Sequence, residues 1–381
     1  MNVRCSDCGL PGDPLSLCAC GGLPEFVLDR PRLDPSGLRR LLRERRASYE
    51  PLFASGVWRL LELLPAIPAE SVVSMAEGNA PLYDSPAGAR YAGVDRLAYL
   101  HLGMNPTGSF KDLGMTVAIS AAKASGAEAV VCASTGNTAS SMAAYASRAG
   151  LSAYAIVPRW RVSDAKLAQM REYGVHLLEV EGSFDDAFDA LRGIGGAVVV
   201  NSINAYRIEG QKCAAYALLE ARGWAVPDWI ALPGGNLGNI SAIAKGLREA
   251  QELGLIDRLP RLALVRAARG IETTASAIAV GEPKSRKRAS RELERFNGIE
   301  VAVEDDEILD AKARIGREGI GCEPASAASL AGVRVLRTSG RINADADVVA
   351  ILTGHVLKDA HVHSVRAARD DARISAGVYA A

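Results

Sequence analysis

An excess of charge of either sign is missing from this sequence: 44 lysines and arginines face 44 aspartates and glutamates. General nucleic-acid binders carry a basic surplus, so that class is set aside. Long apolar runs are missing too. None approaches the roughly 18 residues that a membrane-spanning helix needs. The stretch from Met1 to Cys8 is polar and has no signal-peptide core, so a cytoplasmic protein is expected. There is no internal repeat and no long low-complexity tract, which excludes solenoids and arrays.

What is present suits an enzyme-sized globular chain. The 381 residues are 49% apolar, enough for two ordinary domains with a large core. Seven cysteines occur, and four of them, Cys5, Cys8, Cys18 and Cys20, fall within the first twenty residues. In a cytosolic chain such clustering favours metal over disulfides. Four thiolates on tight turns, here with Gly21 and Gly22 following, can enclose a tetrahedral zinc ion. The Cys18-x-Cys20 spacing is shorter than the usual two-residue gap, so free thiols are the other reading. The basic run from Lys284 to Arg291 reads either as a polyanion contact or as a solvated helix start, since Glu292 and Glu294 follow at once.

Gly37 to Leu64 reads as helical, with leucines among charges and Pro65 and Pro68 at its end. From Ala127 to Ser202, strand-length apolar runs alternate with helical stretches. Ala129–Ala133, Ala153–Val157, Leu177–Val180 and Ala197–Val200 read as strands. Ala139–Arg148 and Asp164–Tyr173 read as helices, the second with Ser163 as cap. A second alternation follows, with strands at Trp229–Leu232, Ala263–Val265 and Val348–Leu352 and a helix at Ile240–Leu253. This predicts an α/β protein with parallel sheets covered by helices, and ligands at the carboxyl ends of the strands.

Four loops stand at such ends. In Asn105-Pro-Thr-Gly-Ser-Phe-Lys-Asp112, Lys111 lies between a turn and an apolar helix beginning near Leu113, a crevice whose burial lowers an amine's pKa as a Schiff-base nucleophile requires. Alone it is equally a lysine at a helix start. Ser134-Thr-Gly-Asn-Thr138 gathers hydroxyls, an amide and helix-start N–H groups, which suit an anion such as a carboxylate, beyond what one helix cap needs. Pro233-Gly-Gly-Asn-Leu-Gly-Asn239 lets backbone N–H groups approach a phosphate. Its spacing fits neither a Walker loop nor the dinucleotide fingerprint. Thr353 follows the last buried strand, where a neutral hydroxyl can bond a pyridine nitrogen.

These loops together resemble the fold-type II, tryptophan-synthase-β-like family of pyridoxal 5′-phosphate enzymes, and within it the threonine-synthase branch. The resemblance covers nearly the whole chain. It includes Glu77–Leu82, Asn105–Met115, Ala133–Ala144, Asn201–Lys212, Pro233–Ile240, Glu323–Ala327 and Thr353–Asp359. The string Arg-Ile-Glu-Gly-Gln-Lys from Arg207 and the Thr-Gly-His from Thr353 are the branch-specific parts.

The resemblance implies two doubly wound α/β domains with the cofactor between them: a large one from 25–112 and 202–381, a small one at 113–201, and a cysteine knuckle at 1–24. It implies Lys111 as Schiff-base lysine and proton carrier, and Asn137 at the cofactor's 3′-oxygen. Gly235, Asn236, Leu237, Gly238 and Asn239 would hold the cofactor phosphate, with Thr353 at the pyridine nitrogen. Ser134, Thr135 and Thr138 would lie near the substrate. Arg207 would take the substrate phosphate with Asn201 and Ser202 close by, unless it is spent in a salt bridge with Glu209. A homodimer is implied as well.

The implied reaction is conversion of O-phospho-L-homoserine and water to L-threonine and phosphate. Two residues depart from the family pattern: Ala80 stands where Thr is common, and Val356 where Gly is. They keep open a β-replacement on O-phosphoserine, as in cysteate synthase. A third reading is a protein that binds the cofactor without turnover, which the intact Lys111, Asn137, Thr353 and glycine loop oppose.

Overall fold

A computed structural model describes residues 1–28, 34–158, 164–181, 184–191, 195–360 and 362. Ser163, the expected cap of the helix at Asp164, lies outside the described residues.

The chain opens with an antiparallel hairpin, β1 (Asn2–Cys5) and β2 (Pro24–Val27), so the cysteine segment ends in a strand that runs past residue 24. Helix α1 (Pro35–Arg46) starts behind Asp34, whose carboxylate accepts the Gly37 N–H at 2.6 Å. The helix expected to run to Leu64 stops here. Pro51 disfavours helical geometry in the residue before it, and Glu50 is extended, with ψ 125°. Short 3₁₀ turns, Pro51–Ala54 and Trp58–Leu63, replace the rest, and still bury Leu60 and Leu63.

There follow β3 (Leu82–Asp84), α2 (Pro86–Ala92), β4 (Arg96–His101), α3 (Lys111–Ala124), β5 (Ala129–Ala133), α4 (Asn137–Ala149), β6 (Ser152–Pro158), α5 (Asp164–Glu172), β7 (His176–Val180), α6 (Phe184–Ala190) and β8 (Val198–Val199). The second half contains α7 (Ala205–Ala221), β9 (Trp229–Pro233), α8 (Gly238–Glu252), β10 (Arg261–Ala267), α9 (Arg286–Arg295), β11 (Ile299–Val303), α10 (Asp305–Arg317), α11 (Pro324–Thr338) and β12 (Asp347–Leu352).

The strands form two main sheets. One has the order β11-β10-β9-β12-β4-β3, parallel except for the β3 edge; the other is the parallel β7-β6-β5-β8. Central strands of the larger sheet are apolar throughout: Val348 to Leu352 are fully buried, as a strand covered on both faces requires. Helices α3, α7 and α8 stack in series across one side. A Cβ on Gly210 would collide with the Leu113 carbonyl, and one on Gly246 would lie 2.6 Å from the Lys212 carbonyl. Glycine at both places lets the helix backbones meet, which sets Arg207 on α7 beside the start of α3.

Candidate functional site

Strands β4, β9 and β12 are parallel neighbours, so their carboxyl ends open at one edge of the large sheet. The loops there are laced together by backbone bonds. Phe110 N–H donates to the Thr353 carbonyl and His355 N–H to the Gly108 carbonyl, both at 2.9 Å. Glu323 N–H donates to the Gly354 carbonyl at 3.0 Å. Lys111 and Thr353, 242 positions apart in number, are thereby held in adjoining loops.

Lys111 is the first residue of α3. Asp112 anchors that helix start, accepting from the Thr107 N–H (2.7 Å), the Thr107 hydroxyl (2.5 Å) and the Ser141 hydroxyl (2.6 Å). Burial still pushes the Asp112 carboxyl up to about 6, against those donors. The Lys111 side chain keeps a narrow opening, while protein encloses its amine, 3.9 Å from the centre of the Phe110 ring. Burial first, and the Arg207 guanidinium second, pull its pKa down to about 7; Glu323 opposes them only in part.

Arg207 is buried, with 2% of its surface exposed. One Nη donates to the Val200 carbonyl at 3.1 Å, and its Nε has no partner. The salt bridge with Glu209 weighed from the sequence does not form: Glu209 pairs with Lys212 and Lys245 instead. Arg207 thus brings a cation next to Lys111 with no carboxylate paired to it among the described residues. Burial lowers its pKa to about 10, so it stays charged near neutrality.

Asn137 is the first residue of α4, after the end of β5. Its Nδ2 donates to both Glu323 carboxylate oxygens at 3.2 and 3.1 Å, and its Oδ1 is buried without a partner. Around it Ser134, Thr135 and Thr138 are half-buried. In the glycine loop, Leu237 adopts the left-handed φ of 61° that turns the chain into α8, whose first turn has no side-chain cap. Both amide atoms of Asn239 are buried and unpartnered. A Cβ on Gly238 would meet nothing nearer than 4.0 Å. Asn236 Nδ2 donates to the Ser202 hydroxyl at 3.0 Å, which joins the glycine loop to the segment after β8. Asn201 is committed to structure. Its amide accepts the Ala133 N–H and donates to the Ala133 carbonyl, both at 2.9 Å, clamping the end of β5. The Thr353 hydroxyl lies 3.2 Å from that of Ser326.

Uncapped N–H groups, open space at Gly238 and orphaned amides on Asn137 and Asn239 fit a phosphorylated ring lying between these loops. The low-pKa amine of Lys111 fits the same group's aldehyde.

Reading the sequence missed Glu323 as part of this site, although the segment holding it was noted. It is fully enclosed, its carboxyl raised by burial, and it occupies the space a side chain on Gly354 would need. Lys166 on α5 was missed as well. Its Nζ donates to the Ser276 hydroxyl (2.7 Å) and the Asp359 carboxylate (2.8 Å), bridging the two sheets' halves. Of the two departures from the family pattern, Ala80 is buried in the apolar core. Val356 packs on Gly321, where a Cβ would lie 2.6 Å from its Cγ1.

At the N-terminus the four cysteines converge. Cys5 and Cys20 Sγ lie 3.4 Å apart, Cys8 lies 3.6 Å from both Cys18 and Cys20, and all four Sγ atoms fall within 4.8 Å of one another. Sulfurs on a tetrahedral zinc ion at about 2.3 Å stand about 3.8 Å apart, so the set fits that metal. Gly22 has to lack a side chain because a Cβ there would collide with Cys5 Sγ.

Residues 73–354 match the family described as pyridoxal-phosphate dependent enzyme. Threonine synthase of Methanocaldococcus jannaschii is 38% identical, over 98% of this chain and 96% of its own. That of a Synechocystis strain is 45% identical over 78% and 81%, and that of Halalkalibacterium halodurans 42% over 78% and 88%. Among solved structures, threonine deaminase isoform 2 of Solanum lycopersicum superposes with a TM-score of 0.64 at 18% identity, covering 94% of this chain and 93% of its own. Maize serine racemase gives 0.63 at 19% identity, covering 88% and 96%.

Proposed function

This chain belongs to the pyridoxal-phosphate-dependent enzymes, and from that premise we propose that it catalyses conversion of O-phospho-L-homoserine and water to L-threonine and phosphate. The observation that carries this reading is a buried guanidinium, Arg207, left without a carboxylate beside the low-pKa amine of Lys111. A substrate with a phosphate at one end and an amino acid at the other uses both.

Pyridoxal phosphate, when bound, supplies a ring that draws electrons from the substrate's α-carbon. Lys111 would hold it through Nζ. Gly235, Asn236, Leu237, Gly238 and Asn239 would hold its phosphate, Asn137 its 3′-oxygen and Thr353 its pyridine nitrogen. The lowered pKa of Lys111 Nζ suits it to a base's role: it would take the α-proton, pass it on, and as a free amine again take a β-proton. Arg207 would bind the substrate phosphate with two forked donors and stabilise it as it leaves the γ-carbon. Ser202, bonded to Asn236 of the glycine loop, would lie close by that phosphate. Ser134, Thr135 and Thr138, at the uncapped start of α4, would receive the substrate carboxylate. Asn201 would act through the Ala133 backbone that it clamps. Water would add its hydroxyl at the β-carbon, while protons return to the γ-carbon that has lost phosphate, which becomes the methyl group, and to the α-carbon.

The two sheets would serve as the large and small domains, split as 25–112 with 202–381 and 113–201. Cys5, Cys8, Cys18 and Cys20 would hold a structural zinc ion. The family resemblance further supports a homodimer working in the cytoplasm, and no described helix is long and apolar enough to cross a membrane.

The test is phosphate release and amino-acid analysis with purified, cofactor-loaded protein. Threonine and phosphate in equal amounts from O-phosphohomoserine are expected. Turnover of O-phosphoserine with sulfite, and none of O-phosphohomoserine, would overturn the proposal in favour of β-replacement.

A further inference from the structure

The basic run from Lys284 to Arg291 is not absorbed by the cofactor site. It forms one wall of a separate cleft of about 510 Å³, a volume in the range of small-molecule sites. The opposite wall is the cysteine knuckle, with Ser6, Asp7, Gly21 and Leu23. Five cations line the cleft, Arg266, Lys284, Arg286, Lys287 and Arg288, against the carboxylates of Asp7 and Glu282.

Arg288 is the most deeply buried of these cations. It is 4% exposed, one Nη donates to the Pro24 carbonyl at 2.8 Å, and its Nε is buried without a partner. The acids nearest it are already engaged: Glu25 and Glu292 pair with Arg248, and Asp7 with Arg291. A buried guanidinium in a cleft with no carboxylate of its own is costly unless an anion completes it.

A second observation concerns α9, which begins at this cleft. Its first three residues are Arg286, Lys287 and Arg288, the wrong charge for the positive end of a helix dipole. Its N-cap, Ser285, accepts no bond from the first-turn N–H groups: the hydroxyl is fully buried and unpartnered, and no acid sits in the first turn. Arg286 and Arg266 share the single carboxylate of Glu300. The basic first turn and the unpaired Ser285 hydroxyl are both features that one bound anion would repair.

We propose that the cleft between the cysteine knuckle and the start of α9 binds a small phosphate-bearing anion, distinct from the cofactor and from the substrate of the main site. Arg288 and Lys287 are its principal charges. The site is joined to the cofactor loop by one bond, from the Lys284 N–H to Asn236 Oδ1 at 2.6 Å.

The probe is inorganic pyrophosphate, titrated calorimetrically into the full chain loaded with pyridoxal phosphate. The parent is compared with Lys287→Glu and Arg288→Gln. Lys287 is exposed and touches none of the proposed active-site groups, so Lys287→Glu is expected to fold and to keep its turnover even if Arg288→Gln does not. Binding weakened at least about tenfold in Lys287→Glu, and steeply salt-dependent in the parent, is the expected result. Any pyrophosphate bound at Arg207 is unmoved by either substitution and serves as an internal reference. An isotherm unchanged by Lys287→Glu, or one whose whole signal vanishes in Arg207→Gln, would overturn the proposal.

Discussion

Lys111 and Lys212 are both lysines enclosed by protein, and they are treated in opposite ways. Lys212 Nζ lies 2.5 Å from a Glu209 oxygen and 2.8 Å from a Glu249 oxygen, and Lys245 completes a closed group of two cations and two anions between α7 and α8. Burial lowers the Lys212 pKa, but the two glutamates more than reverse it and hold the amine charged. Lys111 has burial and a neighbouring guanidinium working in the same direction, so its pKa falls to about 7. The contrast runs along one helix: Arg207 and Lys212 are five residues apart on α7, the first without a carboxylate and the second with two. Charge that holds helices together is balanced inside the protein. Charge meant for a ligand is left for the ligand to balance.

The largest effect that could break this comparison is loss of Lys111. Lys111→Ala is expected to reduce threonine formation at least about 10³-fold, as removal of a covalent and acid–base group does. Thermal unfolding of the cofactor-free variant should be no earlier than the parent's, because no paired charge is orphaned. A clearly lower melting temperature would show that Lys111 supports the fold as Lys212 does.

Arg207→Gln and Glu209→Gln sharpen the same contrast. Arg207→Gln is expected to raise KM for O-phosphohomoserine about 100-fold, since a charge-assisted pair of hydrogen bonds to phosphate is lost, with little change in urea midpoint. Glu209→Gln leaves an excess positive charge among Lys212, Lys245 and Glu249. It is expected to destabilise by about 3–5 kcal/mol in urea unfolding while leaving KM unchanged in whatever fraction folds. If the two variants exchanged these signatures, the division between ligand charge and structural charge would be wrong.

The parts of this scheme that the sequence carries are those with local grammar. Lys111, the glycine loop and Thr353 each follow an apolar strand-length run of the large sheet, which puts them at one sheet edge, while Asn137 follows such a run in the small sheet and is brought to them through Glu323. The charge group on α7 and α8 is half legible: Glu209 and Lys212 are three apart, and Lys245 and Glu249 four apart, spacings that put each pair on one helix face. That the two faces meet depends on Gly246 and Lys212 in the fold, which no spacing reveals. Glu323 was overlooked for the same reason. Its partner Asn137 is 186 residues away, and a glutamate before a proline reads by default as a helix start, which it also is. The helix expected from Gly37 to Leu64 is interrupted where Pro51 restricts Glu50, a local constraint that outweighs the leucine periodicity.

A smaller effect follows from pH. The folded apoprotein holds Lys111 protonated below about pH 7 and as a free amine above it, whereas an ordinary lysine would stay protonated to about pH 10. The rate at which apoprotein takes up pyridoxal phosphate, followed by absorbance, should therefore rise about tenfold per unit below pH 7 and level off above it. A rise that continues unbroken to pH 9 would mean that Lys111 is balanced by some anion after all, as Lys212 is.

The smallest effect tests whether the two halves of the site are mechanically joined. Ser202 accepts from Asn236 Nδ2 across the junction between the segment after β8 and the glycine loop. Ser202→Ala removes one neutral hydrogen bond, worth about 0.5–1.5 kcal/mol, so pyridoxal phosphate affinity should fall about 2- to 12-fold by equilibrium dialysis. If Ser202 also lies beside the substrate phosphate, as proposed, KM should rise by a comparable factor. A change in KM with cofactor affinity untouched would separate the two roles. Asn236 would then be held by its other bond, to the Lys284 N–H, and the loop would take its shape from the basic segment rather than from the small sheet.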